Sequence, residues 1–237
     1  YCALLKKIKL PSALTVIDNR TFDSCRSLEN ITIPDTVKEI GDQAFCCCSN
    51  LKSITIPNSV KTIGDGAFLE CKSLTTVAGG NDLEKIGGGV FNNCSQLQSI
   101  TLSGNIKECG GDMFSGCTML KTVGPVSGNY NIKLEFMETL PTGVISRSMI
   151  TEVTLPDSIK TIEDGAFMDC TLLKKIKLPS SLTVIKRVTF YNCRSLENII
   201  IPDAVKEIGD MAFDYCDNLK SITISNTVKE IGYATFR

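Results

Sequence analysis

Twelve cysteines and no histidine are the features of this 237-residue chain that bear most directly on chemistry. Thiols can bind soft metals, pair as disulfides or act as nucleophiles, and each use makes demands on the neighbours. Zinc favours paired spacings such as C-x-x-C, often with histidine, and the one cluster, Cys46-Cys47-Cys48, has neither. A nucleophilic cysteine needs a base, and the usual one is absent from the chain. Nine of the twelve cysteines fall in one register: Cys2, Cys25, Cys48, Cys71, Cys94, Cys117, Cys170, Cys193 and Cys216. A thiol that recurs beside apolar residues is most simply a small buried hydrophobe. Stacked equivalents would run side by side rather than toward each other, so a ladder of disulfides is not expected. Cys46, Cys47 and Cys109 lie outside the register. If exposed, Cys46 or Cys47 would be open to oxidation or to linking two molecules. Free thiols as a group point to a reducing setting.

The remaining chemistry is equally sparse. No G-x-x-x-x-G-K-[ST] loop occurs, and Gly87-Gly88-Gly89 sits at a corner of the repeat. The acidic residues show no catalytic spacing. No catalytic, cofactor or metal residues are assigned, and the chain is read as non-enzymatic. A net charge of −1 gives the whole-molecule field no reason to attract nucleic acid or an anionic membrane. No apolar run approaches the ~20 residues of a membrane helix.

The elements behind the cysteine register form a repeat. Leu5, Leu28, Leu51, Leu74, Leu97 and Leu120 are 23 residues apart, and the series resumes at Ile150, Leu173, Leu196 and Leu219. Phe22, Phe45, Phe68, Phe91, Phe114, Phe167, Phe190, Phe213 and Phe236 keep the same register. Such a period means a solenoid, whose units bury their apolar faces only against neighbours. Within a rung, L-x-x-I-x-I predicts a short strand. The proline that follows, as at Pro57, ends it for want of an N–H. V-x-x-I is a second apolar pair, and I-G turns the corner. Asp42, Asp164 and Asp210 suit an N-cap, and A-F-x-x-C predicts one helical turn.

Residues 1–237 are read as a single repeat domain of about ten rungs. It is regular over 1–123, irregular with an insertion over 124–149, and regular over 150–237. Leu120 to Ile150 is 30 residues, with the extra residues expected near 138–149. Residues 4–68 and 172–236 match at 47 of 65 positions, which points to duplication of a multi-rung block. Both ends fall inside a rung, so a longer parent protein and end-to-end self-association of uncapped rungs are expected.

The unit Leu51, Ile54, Ile56, Pro57, Val60, Ile63, Gly64, Ala67, Phe68, Cys71 resembles the leucine-rich repeat of the BspA-like family over nearly the whole chain. The resemblance implies an α/β solenoid, curved, with a parallel β-sheet on the concave face and short helical or 3-10 turns elsewhere in each rung. It also implies a cell-surface or secreted adhesin-type module that recognises extracellular-matrix or host surface proteins. A structural spacer and an intracellular scaffold are the alternatives.

The strand residues flanking the inward isoleucines form the candidate protein-binding face: Lys7, Lys9, Asn30, Thr32, Ser53, Thr55, Ser99, Thr101, Glu152, Thr154, Lys175, Lys177, Ser221 and Thr223. Extended surfaces of this kind are what solenoids use to bind. Strand propensity alone would also favour the threonines. In the irregular segment, Tyr130 and Phe136 are candidate contacts, because loops on a rigid scaffold often carry recognition.

Overall fold

The structure, a computed structural model, describes residues 2–120, 122–123 and 139–237. They fall in two compact units, residues 1–119 and 120–237. The first holds β1 (Val16–Ile17), β2 (Glu39–Ile40), β3 (Ser53–Ile56), β4 (Thr62–Ile63), β5 (Thr76–Ile86) and β6 (Ser99–Cys109). The second holds β7 (Thr122–Val123), β8 (Thr139–Leu140), β9 (Glu152–Thr154), β10 (Thr161–Ile162) and β11 (Lys175–Lys177). It continues with β12 (Val184–Ile185), β13 (Asn198–Ile200), β14 (Glu207–Ile208), β15 (Ser221–Thr223) and β16 (Glu230–Ile231).

Every pairing among them is parallel, and each regular step joins residues 23 apart, as in Ile17↔Ile40↔Ile63↔Ile86. Each unit is a parallel β-solenoid of leucine-rich-repeat type. The rung has two strand sides, one from L-x-x-I-x-I and one from V-x-x-I, because proline breaks the ladder between them. Where Gly80 stands in the proline position, β5 runs unbroken for 11 residues and takes part in both ladders. Gly79 and Gly80 turn that strand with φ of +95° and +67°.

The interior is a set of side-chain ladders. Phe22, Phe45, Phe68, Phe91 and Phe114 stack with centroids 5.1 to 5.9 Å apart and planes within 14°. Phe167, Phe190, Phe213 and Phe236 do the same in the second unit. Leu28, Leu51, Leu74 and Leu97 are fully buried beside them. Burying one such side chain stabilises by ~1.5–3 kcal/mol. Gly64 brings neighbouring rungs into backbone contact, since a Cβ there would lie 2.6 Å from the Asp42 nitrogen.

The third side of the rung corrects the expected α/β class. No helix occurs among the described residues, and A-F-x-x-C is not a helical turn. Its N–H groups alternate. Those of Phe45 and Cys47 donate to Ala67 and Leu69 of the next rung (2.7 and 2.8 Å), while those of Cys46 and Cys48 donate three residues back to Gln43 and Phe45 (3.0 and 3.2 Å). A helix would send all of them four residues back. Two left-handed residues per rung, four apart, enforce the pattern, as at Gly66 and Glu70 (φ +59° and +57°). Outside glycine such a residue costs about 1–2 kcal/mol, offset here by the inter-rung bonds. The N-cap expectation at Asp42 is corrected with it: Asp42 Oδ1 accepts the N–H of Asp65 one rung on (2.9 Å), and Asp210 Oδ1 accepts that of Tyr233 (2.7 Å).

The position of the extra residues is also corrected. Thr139-Leu140 pairs with Thr161-Ile162, Ile145 N–H donates to Ala166 (3.1 Å), and Ser148 Oγ lies 3.4 Å from Cys170 Sγ. Leu140, Ile145 and Ser148 thus fill the isoleucine, phenylalanine and cysteine places of an ordinary half-rung, one residue short. Thr122, by contrast, pairs with Glu152, 30 residues on. The lengthening therefore falls between Val123 and Thr139, not in 138–149.

Candidate binding face

Alternation along the first strand side sets which side chains reach solvent. Ile54 and Ile56 point inward and are buried, while Ser53 and Thr55, which alternate with them, are exposed. Lys7, Lys9, Asn30, Thr32, Lys175, Lys177, Ser221 and Thr223 are likewise exposed, and Ser99, Glu152 and Thr154 are half-buried. The Thr101 side chain, Tyr130 and Phe136 lie outside what the structure describes.

Parallel pairing at the regular offset gathers these residues into rows. In the first unit Lys7 bridges to Asn30, and Ser53, Thr76 and Ser99 lie in line. In the second unit Glu152 pairs with Lys175 and Thr154 with Lys177, while Asn198 pairs with Ser221 and Ile200 with Thr223.

The second unit adds a feature that the alternation does not show. The ladder on this face stops at β11 and restarts at β13, which belong to separate sheets. The chain stays joined just before the gap by Glu197 N–H to Lys174 O at 3.5 Å, and behind it by β12 pairing with β14. A hollow of about 520 Å³ opens at the break, lined by Lys175, Lys177, Asn198, Ile200, Asp157 and Ser180 among others. Ile200 is 72% exposed at its edge. Asp157 Oδ1 accepts the N–H and hydroxyl of Ser180 (2.9 and 3.1 Å). Those two bonds, with Lys177 nearby, hold the Asp157 carboxyl below its usual range. The hollow therefore offers two lysines, a fixed carboxylate and an apolar wall. Its signal in the sequence was the isoleucine at an outward position, where the other rungs carry threonine, alanine or another small or polar residue.

The thiol register is chemically quiet. All twelve cysteines are free. Cys48, Cys71, Cys94, Cys117, Cys193 and Cys216 each donate an S–H to a carbonyl of the preceding rung at 3.1–3.2 Å, as Cys71 does to Phe45. Cys170 does so to Ile145 at 3.3 Å. Burial pushes the Cys94 thiol up to about 12, so it carries no thiolate near neutral pH. Among the described residues no group of three or more cysteines and acidic residues could hold a metal ion. Among the described residues no helix is long and apolar enough to cross a membrane.

These features define the class, a parallel leucine-rich-repeat solenoid with a polar strand face. The BspA type leucine rich repeat region matches residues 1–123 and 138–237 in six copies, and the chain belongs to that family. Among curated proteins, none matches the sequence. A leucine-rich repeat protein from Bacteroides ovatus is similar over 99% of this chain and 72% of its own, at 26% identity and a TM-score of 0.70. The leucine rich repeat protein of T. pallidum is 26% identical over 77% of this chain and 72% of its own, with a TM-score of 0.51. The pneumococcal vaccine antigen PcpA shares the fold at 24% identity over 96% of this chain and 65% of its own, with a TM-score of 0.60. None of these matches indicates an enzyme family.

Proposed function

We propose that this chain is a non-catalytic protein-binding module, displayed on a cell surface or secreted, that recognises a matrix or host surface protein. Its two compact units belong, in this reading, to one repeat domain. The family supports the setting. The observation that carries the binding role is the break between β11 and β13, where Lys175, Lys177 and the exposed Ile200 converge on one hollow. An interface core needs such an apolar anchor beside charges that orient the partner. Within the second unit Ser221 and Thr223 extend the polar face, with Glu152 and Thr154 less accessible; the first unit has its own polar row in Lys7, Lys9, Asn30, Thr32, Ser53 and Thr55, with Ser99 less accessible.

The test is binding of the full chain to a panel of immobilised extracellular-matrix proteins. Saturable binding is expected at micromolar concentration, with Ile200→Ser and the pair Lys175→Glu, Lys177→Glu each weakening it by roughly tenfold or more. Absence of saturable binding across the panel would favour a spacer. Binding that ignores these substitutions would move the contact elsewhere on the chain.

A further inference from the structure

Cys46 and Cys47 are the one pair of thiols that the ladder does not use. In every rung the two residues after the phenylalanine sit on the outer turn side, and in the neighbouring rungs they are Asp23-Ser24 and Leu69-Glu70. Cys46 is only 8% exposed. Its sulfur lies 3.5 Å from that of half-buried Cys47. The peptide between them is held from both sides: Cys46 O accepts the Ser24 N–H and Cys47 N–H donates to Leu69 O, each at 2.8 Å. Cys47 is left-handed, with φ of +57°. Cys48, next in sequence, points the other way and gives its S–H to the Phe22 carbonyl at 3.2 Å. The backbone thus turns two adjacent thiols to the same side and commits the third to the core.

We propose that Cys46 and Cys47 are an oxidation site that closes to a vicinal disulfide by exchange with a small-molecule disulfide. The Cys47 thiolate, the more accessible, attacks one sulfur of the reagent; that S–S bond breaks, a mixed disulfide forms, and one small thiol leaves. The Cys46 thiolate then attacks the Cys47 sulfur and expels the second small thiol. The protein loses two electrons, the reagent is reduced to two thiols, and both cysteine protons end on them. Closure needs the sulfurs to move from 3.5 Å to about 2.05 Å, by side-chain rotation together with a twist of the Cys46–Cys47 peptide, because adjacent Cα atoms are about 3.8 Å apart, less than the usual disulfide span. Burial, the Cys47 contact and the charges of Asp23 and Glu70 raise the Cys46 thiol to about 12. The same two carboxylates favour a cationic reagent.

The experiment uses the full chain with exposed Cys2 changed to serine, incubated with cystamine and quenched in acid. The expected result is an intact mass short by two hydrogens, with no retained adduct. In the peptide carrying all three adjacent cysteines, only Cys48 should then accept an alkylating agent. A thiol reductant should restore the starting mass. Cys46→Ser in that background should trap one cysteamine on Cys47, and Cys47→Ser should leave the peptide unmodified. An adduct that persists on Cys47 while Cys46 is present, a bridge to Cys48, a covalent dimer, or no reaction at this peptide would each overturn the proposal.

Discussion

Residues 4–68 and 172–236 carry one pattern twice, and their 18 differences are unevenly placed. Among the outward strand positions, Lys7, Lys9, Asn30, Ser53 and Thr55 recur as Lys175, Lys177, Asn198, Ser221 and Thr223, and only Thr32 becomes Ile200. On the turn side, Asn19-Arg20 becomes Arg187-Val188, Asp23-Ser24 becomes Tyr191-Asn192, and Cys46-Cys47 becomes Asp214-Tyr215. The backbone there does not follow these changes. Arg20 and Val188 both keep a left-handed φ (+57° and +48°), as do Cys47 and Tyr215 (+57° and +58°). The inter-rung hydrogen bonds therefore set that conformation, and the side chain is free to vary. This freedom lets one rung hold a thiol pair where its copy holds Asp214, buried against Arg237 at 2.9 Å.

The comparison can be broken first at its shared interior. Phe68→Ala and Phe190→Ala each remove a central ring from a stack, and each is expected to cost about 3–5 kcal/mol in a denaturant titration. A loss under about 1 kcal/mol in either would mean that the two blocks do not share a ring-filled core.

The thiol ladder predicts alkaline sensitivity. Burial raises the thiols of Cys94, Cys48 and, in the copy, Cys216 from 9.0 to about 12. The folded form thus holds protons that the unfolded chain releases. Stability from this source is complete below pH 9.0 and is lost as pH rises toward about 12. Summed over the ladder, the loss should be on the order of a few kcal/mol. Denaturation followed at pH 7, 9 and 11 should show nearly all of the fall between the last two. A midpoint equally sensitive below pH 9 would contradict buried, protonated thiols.

Smaller effects separate backbone from side chain. Cys71→Ala removes one of two donors to the Phe45 carbonyl, leaving it the Cys48 N–H, and should cost about 1 kcal/mol. Cys71→Ser should recover part of that, since Ser148 already fills the same place beside Cys170. A serine variant weaker than alanine would mean that packing, not the hydrogen bond, selects cysteine. Val188→Gly removes a β-branched residue from a left-handed site and should stabilise by roughly 1 kcal/mol, with a smaller gain for Arg20→Gly. Loss of stability in both would mean that these side chains make contacts worth more than the strain.

The strand register was legible because its cause is local: Leu51, Ile54 and Ile56 alternate with Ser53 and Thr55, and a 23-residue period repeats them. The turn side was misread because its cause is not local. Alanine, phenylalanine and cysteine at Ala67, Phe68 and Cys71 have helical spacing, and only the bonds to the next rung, such as Phe68 N–H to Val90 O at 2.9 Å, forbid the helix. The half-rung 139–150 escaped recognition because Ile145 and Ser148 replace the two marker residues. The outward row followed from alternation, but the hollow did so only in part: Ile200 marks its edge as an isoleucine at an outward position, while no residue announces that the ladder stops between β11 and β13.

Every S–H bond in the thiol register points backward along the chain, from Cys71 to Phe45 and from Cys193 to Phe167. Within each unit the rungs consequently run in one direction, each giving its thiol proton to the rung before it. Splicing in whole rungs preserves this one-way order wherever the joint falls, so the molecule can lengthen by copying without inventing a new seam. Where the spacing departs from the period the bond still forms: Cys170 reaches back 25 residues to Ile145, where Cys71 reaches back 26 to Phe45.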